Sequence, residues 1–135
     1  MANNLSVFDI AGRAMSAQMV RLNTAASNLA NAGSVAGSKA EAFRAIKPVF
    51  SSVTDSPGVA TVKVDKVVAS NLEPTKRYDP ANPMADKDGN VWESNVDETR
   101  ELVDMMETAR GYQNNVEVMQ TAKSLIVDTL KLGRA

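Results

Sequence analysis

The chain has 135 residues, of which 44% are apolar but only 4% aromatic, and seven are Met. Fifteen Lys and Arg against sixteen Asp and Glu give a formal charge of -1, which leaves no basic footprint for nucleic acid and no polybasic patch for lipid. Cys and His are both absent, which excludes thiol nucleophiles, imidazole bases, disulfides and the commonest zinc ligands, and with them most enzyme designs.

The first residues show no cationic stretch followed by an unbroken apolar run, so no cleaved signal is expected, and no apolar run reaches the roughly 18 residues needed to span a bilayer. Instead Ser6-Val7-Phe8-Asp9 has capping-box spacing, with Ser6 placed to accept from the first turn and Asp9 suited to the positive helix end. A helix is expected from there. Phe8, Gly12, Met15, Met19, Leu22, Ala26 and Leu29 follow in steps of four and three, the seam of a coiled coil. Gly12 either admits a close neighbouring backbone or is an accident of sequence. Asn31-Ala32-Gly33 ends the helix, with Gly as the usual stop.

From residue 43 to 92 the helical period is lost. Val62, Val64 and Val68 alternate with Lys63, Asp65 and Val67, and Ser56-Pro57-Gly58 is a turn, which together suit a half-buried β-hairpin arm. Phe43 and Trp92 read as anchors of this strand region. Glu73-Pro74, Asp79-Pro80-Ala81-Asn82-Pro83 and Asp88-Gly89 then punctuate what reads as a stiff, extended strut with no core of its own.

Asn95 stands as N-cap of a second helix, with Glu98 three residues later and Asp97 and Glu101 in the first turns, while Lys131 and Arg134 suit its far end. Its seam runs Leu102, Met105, Ala109, Tyr112, Val116, Met119, Lys123, Ile126 and Leu130, with Lys123 as the one break. Gly111 weakens the interior by about 1 kcal/mol and Gly133 marks the end. Val103, Met106, Val118, Ala122, Leu125 and Val127 widen the apolar surface, so each helix needs more than one neighbour.

The predicted fold is therefore mainly α: long terminal helices forming a coiled-coil-like layer, with a small β-hairpin and extended middle segment. Residues 1–33 with 95–135 form the helical assembly domain, and 34–94 form the short arm and Pro-rich connection. The two seams pair with each other in an antiparallel hairpin, or with neighbouring molecules.

Candidate chemistry is thin. Asp86, Asp88, Asn90 and Asp97 fall at the first, third, fifth and twelfth positions of a calcium loop, but the sixth position, which requires Gly, is Val91, and a turn is the better reading. The carboxylate pairs Asp97 with Glu101 and Asp104 with Glu107 read as a solvated helix face. No phosphate loop or nucleophile elbow is present. No catalytic residue, metal site or cofactor is expected.

Ala26-Ser27-Asn28-Leu29-Ala30-Asn31 resembles the amino-terminal signature of bacterial flagellar axial proteins, the rod, hook and hook-associated families. Ala32-Gly33-Ser34-Val35 follows it in the manner of the proximal-rod (FlgC) family. Phe8-Asp9-Ile10-Ala11-Gly12, Asp79-Pro80-Ala81-Asn82-Pro83-Met84-Ala85-Asp86, Tyr112-Gln113-Asn114-Asn115-Val116-Glu117-Val118 and Thr129-Leu130-Lys131-Leu132-Gly133 extend the resemblance over both ends and the strut. Phe43-Arg44-Ala45 stands where that family often has a Tyr-Arg pair, and residues 51 to 72 match loosely.

The resemblance implies a structural subunit of the basal-body rod in the periplasmic space, exported through the flagellar type III apparatus without a cleaved signal. A rod or needle component of a related secretion system is the alternative. It implies as partners other copies of the chain, the rod proteins FlgB, FlgF and FlgG and the adaptor FliE, with no nucleic acid and no direct lipid contact. The expected assembly interface consists of the two seams without Lys123, joined by Asn28 and Asn31, which either hydrogen-bond across subunits or cap the helix.

Overall fold

The computed structural model describes residues 2–134. Helix α1 spans Ala2–Ala30 and helix α2 spans Glu98–Leu132. Between them lie β1 (Val35–Ala36), β2 (Ile46–Ser56), β3 (Val59–Ala69), β4 (Thr75–Tyr78) and β5 (Asn90–Glu93). Strands β2 and β3 form one antiparallel sheet, and β1, β5 and β4 form a second in that order.

This corrects the mainly α expectation. Strands take about 24% of the chain in two antiparallel sheets, so the fold is an α+β mix. The arm is not small, since each of its strands has 11 residues. Nor is the Pro-rich stretch a bare strut: β4 and β5 pair from Thr75↔Glu93 to Tyr78↔Asn90, and the two-residue β1 closes the other edge of β5. Val91, with no exposed surface, is the centre of this second small core, and Ala36 on β1 is buried too. Such pairing escapes a sequence reading because β1 and β5 are too short to show alternation and lie far apart in the chain.

The arm follows its pattern. Val62, Val64 and Val68 are half-buried while Lys63, Asp65 and Val67 are exposed. Pro57 and Gly58 make the turn, with Gly58 at φ 82° as the second central residue of a type II turn requires. A register shift between Thr54 and Ser56 leaves Asp55 as a bulge at the arm's tip. In the loop between β4 and β5, Asp86 accepts from the backbone N–H of Asp88 at 2.9 Å and of Asn90 at 2.8 Å. The Asn90 N–H holds its carboxyl below the ordinary value of 3.8. Asp86 thus builds a turn, as the spacing suggested.

Two helix boundaries differ from expectation. α1 begins at Ala2, four residues before the expected start, and the Ser6 cap concerns a side chain outside the described residues. α2 is capped by Asp97, whose carboxylate accepts from the Arg100 N–H, and not by Asn95. No helix among the described residues is long and apolar enough to cross a membrane.

Candidate assembly surface

The helices run antiparallel: Arg21 meets Asp104, Gln18 lies against Gly111, and Val7 shares a groove with Val118 and Leu125. The contact is narrow and polar. Arg21 forms a forked pair with Asp104, and Glu107 stands 3.8 Å from the same guanidinium. Thr108, almost wholly buried, donates its hydroxyl to the Asp104 carbonyl at 2.6 Å. Ala11 and Ala25, one heptad on either side of Gln18, are buried. The carboxylates read as a solvated face are therefore divided: Glu101 is buried and Asp104 is paired, while Glu107 stays largely in water.

The arm lies along a second face of α1. Arg13 reaches Asp55 at 2.6 Å and the Thr61 hydroxyl at 3.0 Å, which ties the tip down. Ile10 and Ala14 border Phe50 and Thr61, and Ala17 and Val20 border Val62 and Val64.

The predicted α1 seam faces neither partner squarely. At about 100° per residue, the stripe from Phe8 to Leu29 is centred roughly a quarter turn from the α2-facing side and opposite the arm. Phe8, Gly12, Met15, Leu22 and Leu29 are half-buried, whereas Met19 and Ala26 are exposed. A side chain at Gly12 would meet nothing within 4 Å, so the close approach considered there is not made in the single chain. On α2, Leu102, Ala109, Lys123 and Leu130 are exposed, and Met105, Tyr112, Val116, Met119 and Ile126 are half-buried. The stripes are thus apolar surface that the single chain covers only in part, and α1 meets α2 chiefly beside its stripe and not through it.

Gly111 is the glycine at which the two helices do come close. A Cβ there would stand 2.9 Å from the Gln18 Nε2. Nothing in the local pattern signals this, because the partner lies on the other helix.

The two asparagines of the signature are occupied within the chain. Asn28, 1% exposed, accepts from the Ile46 N–H at 2.8 Å and donates to the Ile46 carbonyl at 2.9 Å. It is thus withdrawn from the outer surface of the single chain. Asn31 donates to the Ser27 carbonyl at 2.8 Å, closing the helix end. Asn95, expected as a cap, accepts from the Ala45 N–H at 2.7 Å and donates to the Leu72 carbonyl at 2.6 Å.

What remains outward is large and apolar. Met106 is 68% exposed, Leu125 62% and Leu132 79%, and Leu102, Val103, Val118 and Leu130 are exposed as well. Among the described residues, the buried apolar ones are Ala11, Ala17, Ala25, Ala36, Ala42, Ala45 and Val91. Apart from Val91 the fully buried apolar side chains are alanines while many large ones face outward, the reverse of a self-sufficient domain.

This inverted burial on a pair of terminal helices is the surface pattern of a structural subunit more than of a self-contained domain. One family profile, "Flagella basal body rod protein", matches residues 8–38, and another, "Flagellar basal body rod FlgEFG protein C-terminal", matches residues 87–132. The chain is 49% identical over 132 residues to a flagellar basal-body rod protein FlgC of Escherichia coli O157:H7, covering 96% of this chain and 98% of that one. It is 48% identical, with the same coverage, to one of Salmonella typhimurium. A FlgC of Agrobacterium fabrum is 35% identical over 128 residues, 93% of this chain and 92% of its own length. The chain belongs to the FlgC family of flagellar basal-body rod proteins. That family consists of structural subunits, not enzymes.

Proposed function

We propose that the chain is a subunit of the proximal rod of the flagellum, in the periplasmic part of the basal body, and that its outward apolar stripes are the contacts that build the rod. The observation that carries this reading is the inverted burial: Met106, Leu125 and Leu132 lie largely in water while the helix contact is made of Ala, Thr and a charge pair. A monomer gains nothing from such a surface, whereas each stripe buried against a neighbour contributes about 25 cal/mol per Å² of apolar area.

The α1 stripe lies opposite the arm, so one subunit offers an apolar helix face and a separate arm-bearing face to unlike neighbours. Such heterologous contacts do not close and grow into a helical tube. The assembly residues of this reading are Phe8, Gly12, Met15, Met19, Leu22, Ala26 and Leu29 on α1, and Leu102, Met105, Ala109, Tyr112, Val116, Met119, Ile126 and Leu130 on α2. Asn31 and the exposed Val103, Met106, Val118 and Leu125 belong with them. Residues 1–33 and 95–135 act as the assembly unit and 34–94 as the arm-bearing unit. The partners are other copies, the rod proteins FlgB, FlgF and FlgG and the adaptor FliE, reached by export through the type III apparatus.

The test is Met106→Asp. This residue is 68% exposed, so the free chain should keep its circular dichroism and its unfolding midpoint to within about 2 °C. Cells carrying only this form should make the protein and fail to swim. Normal swimming with both Met106→Asp and Leu125→Asp would overturn the reading.

A further inference from the structure

Asn28 is the centre of the sequence signature, yet it is buried inside the chain and touches no outer surface. Its two bonds run to both backbone groups of Ile46, the first residue of β2. The preceding residue, Ala45, gives its N–H to Asn95, on the segment that leads into α2. The second half of the Asn95 amide takes the Leu72 carbonyl, just beyond the end of β3, where the Ser70 N–H also reaches the Ala45 carbonyl at 2.7 Å.

The arm thus enters and leaves through a ring of side-chain amides. One is fixed to α1 and the other to the start of α2. Each amide uses a donor and an acceptor at once, which no carboxylate can do because it has no hydrogen to give. Without them the Ala45 N–H and the Ile46 backbone groups lose their side-chain partners where the arm emerges, and the Leu72 carbonyl keeps only the longer bond from Arg44 at 3.4 Å. The tip has a different anchor, Arg13 on α1 alone.

We propose that Asn28 and Asn95 are positioning residues for the arm: a two-amide clamp that makes the arm's direction follow the spacing of α1 and α2. Packing of the helices into a rod and presentation of the arm to neighbouring subunits are then one coupled event. This rests on the rod-subunit reading above.

The test uses the full-length chain with Asn28→Asp and, separately, Asn95→Asp. Each keeps an acceptor for the N–H and sets an oxygen against the carbonyl of Ile46 or Leu72. The expected result is unchanged helical circular dichroism, a loss of amide-exchange protection over residues 46–56 and 59–69 of about tenfold or more, and basal bodies without rods. In Asn28→Asp, protection should return as the carboxyl protonates, near pH 4 or higher for a buried acid, because it then regains a donor. The parent chain over the same range controls for Arg21, Lys47, Arg100, Glu101, Asp104 and Glu107, the charged groups around the slot beside Ile46. Should Asn28→Asp fail to fold, Asn95→Asp, at a half-buried position, carries the test. Parent-like protection in a folded variant would overturn the clamp. A loosened arm with normal rods would overturn its role in assembly and leave the rod-subunit reading intact.

Discussion

Gly111→Ala should stabilise the free chain, although it places a methyl group in the helix contact. Replacing an interior helical Gly by Ala contributes about 1 kcal/mol through lost backbone freedom in the unfolded chain. Against this, the new Cβ would stand 2.9 Å from the Gln18 Nε2 and 3.4 Å from its Cδ, and the nearest atoms it would meet across the contact all belong to Gln18. The obstacle is the end of a flexible side chain, and turning it aside costs about 1 kcal/mol at most. The Gln18 Oε1 is buried without a hydrogen-bond partner, so moving it toward water recovers about 1 kcal/mol. The sum is a gain of about 1 kcal/mol, or about 4 °C in Tm for a chain of this size. Scanning calorimetry of the purified chain measures it, with Gln18→Ala and the double variant completing a cycle. A fall in Tm of more than about 3 °C would mean that the spacing of the helices themselves, and not the end of Gln18, sets the contact, and the reasoning would fail.

Val91→Ala removes, among the described residues, the one large apolar side chain with no exposed surface and should cost about 2 kcal/mol; exchange over β4 and β5 should accelerate while α1 and α2 stay protected. Deleting residues 127–135 should leave stability nearly unchanged, since residues 127–134 are all exposed, yet basal bodies from cells carrying only this form should show no projecting rods. The bonds to Asp86 should be fully present above its ordinary pKa of 3.8 and weaken as pH falls through its lowered folded value. Lower protection factors at the Asp88 and Asn90 amides should therefore appear only in acid, and loss of protection already at pH 6 would contradict this.

The end of α1 near Asn31, the stop of α2 at Gly133, the turn at Pro57-Gly58 and the alternation in β3 were legible because each depends on residues close in sequence. The cap of α2 was misread for a related reason. Asn95 with Glu98 fits a capping box, but Asn95 is drawn into the arm's base by Ala45 and Leu72, which leaves the cap to Asp97. A local signal gave way to partners distant in the chain.

The sequence by itself determined that two long terminal helices carry apolar stripes and that the chain resembles flagellar rod proteins, because period and motif are local properties of one strand of text. Only the tertiary structure decided which face each stripe turns. A strict seven-residue seam drifts about 20° per heptad on a straight helix, and α1 meets α2 through Gln18, Arg21 and the flanking alanines instead. Tertiary structure also decided that Asn28 closes on Ile46 within the chain and that β1, β4 and β5 make a sheet around Val91. These depend on residues brought together from far apart in sequence, and no periodicity records such a meeting.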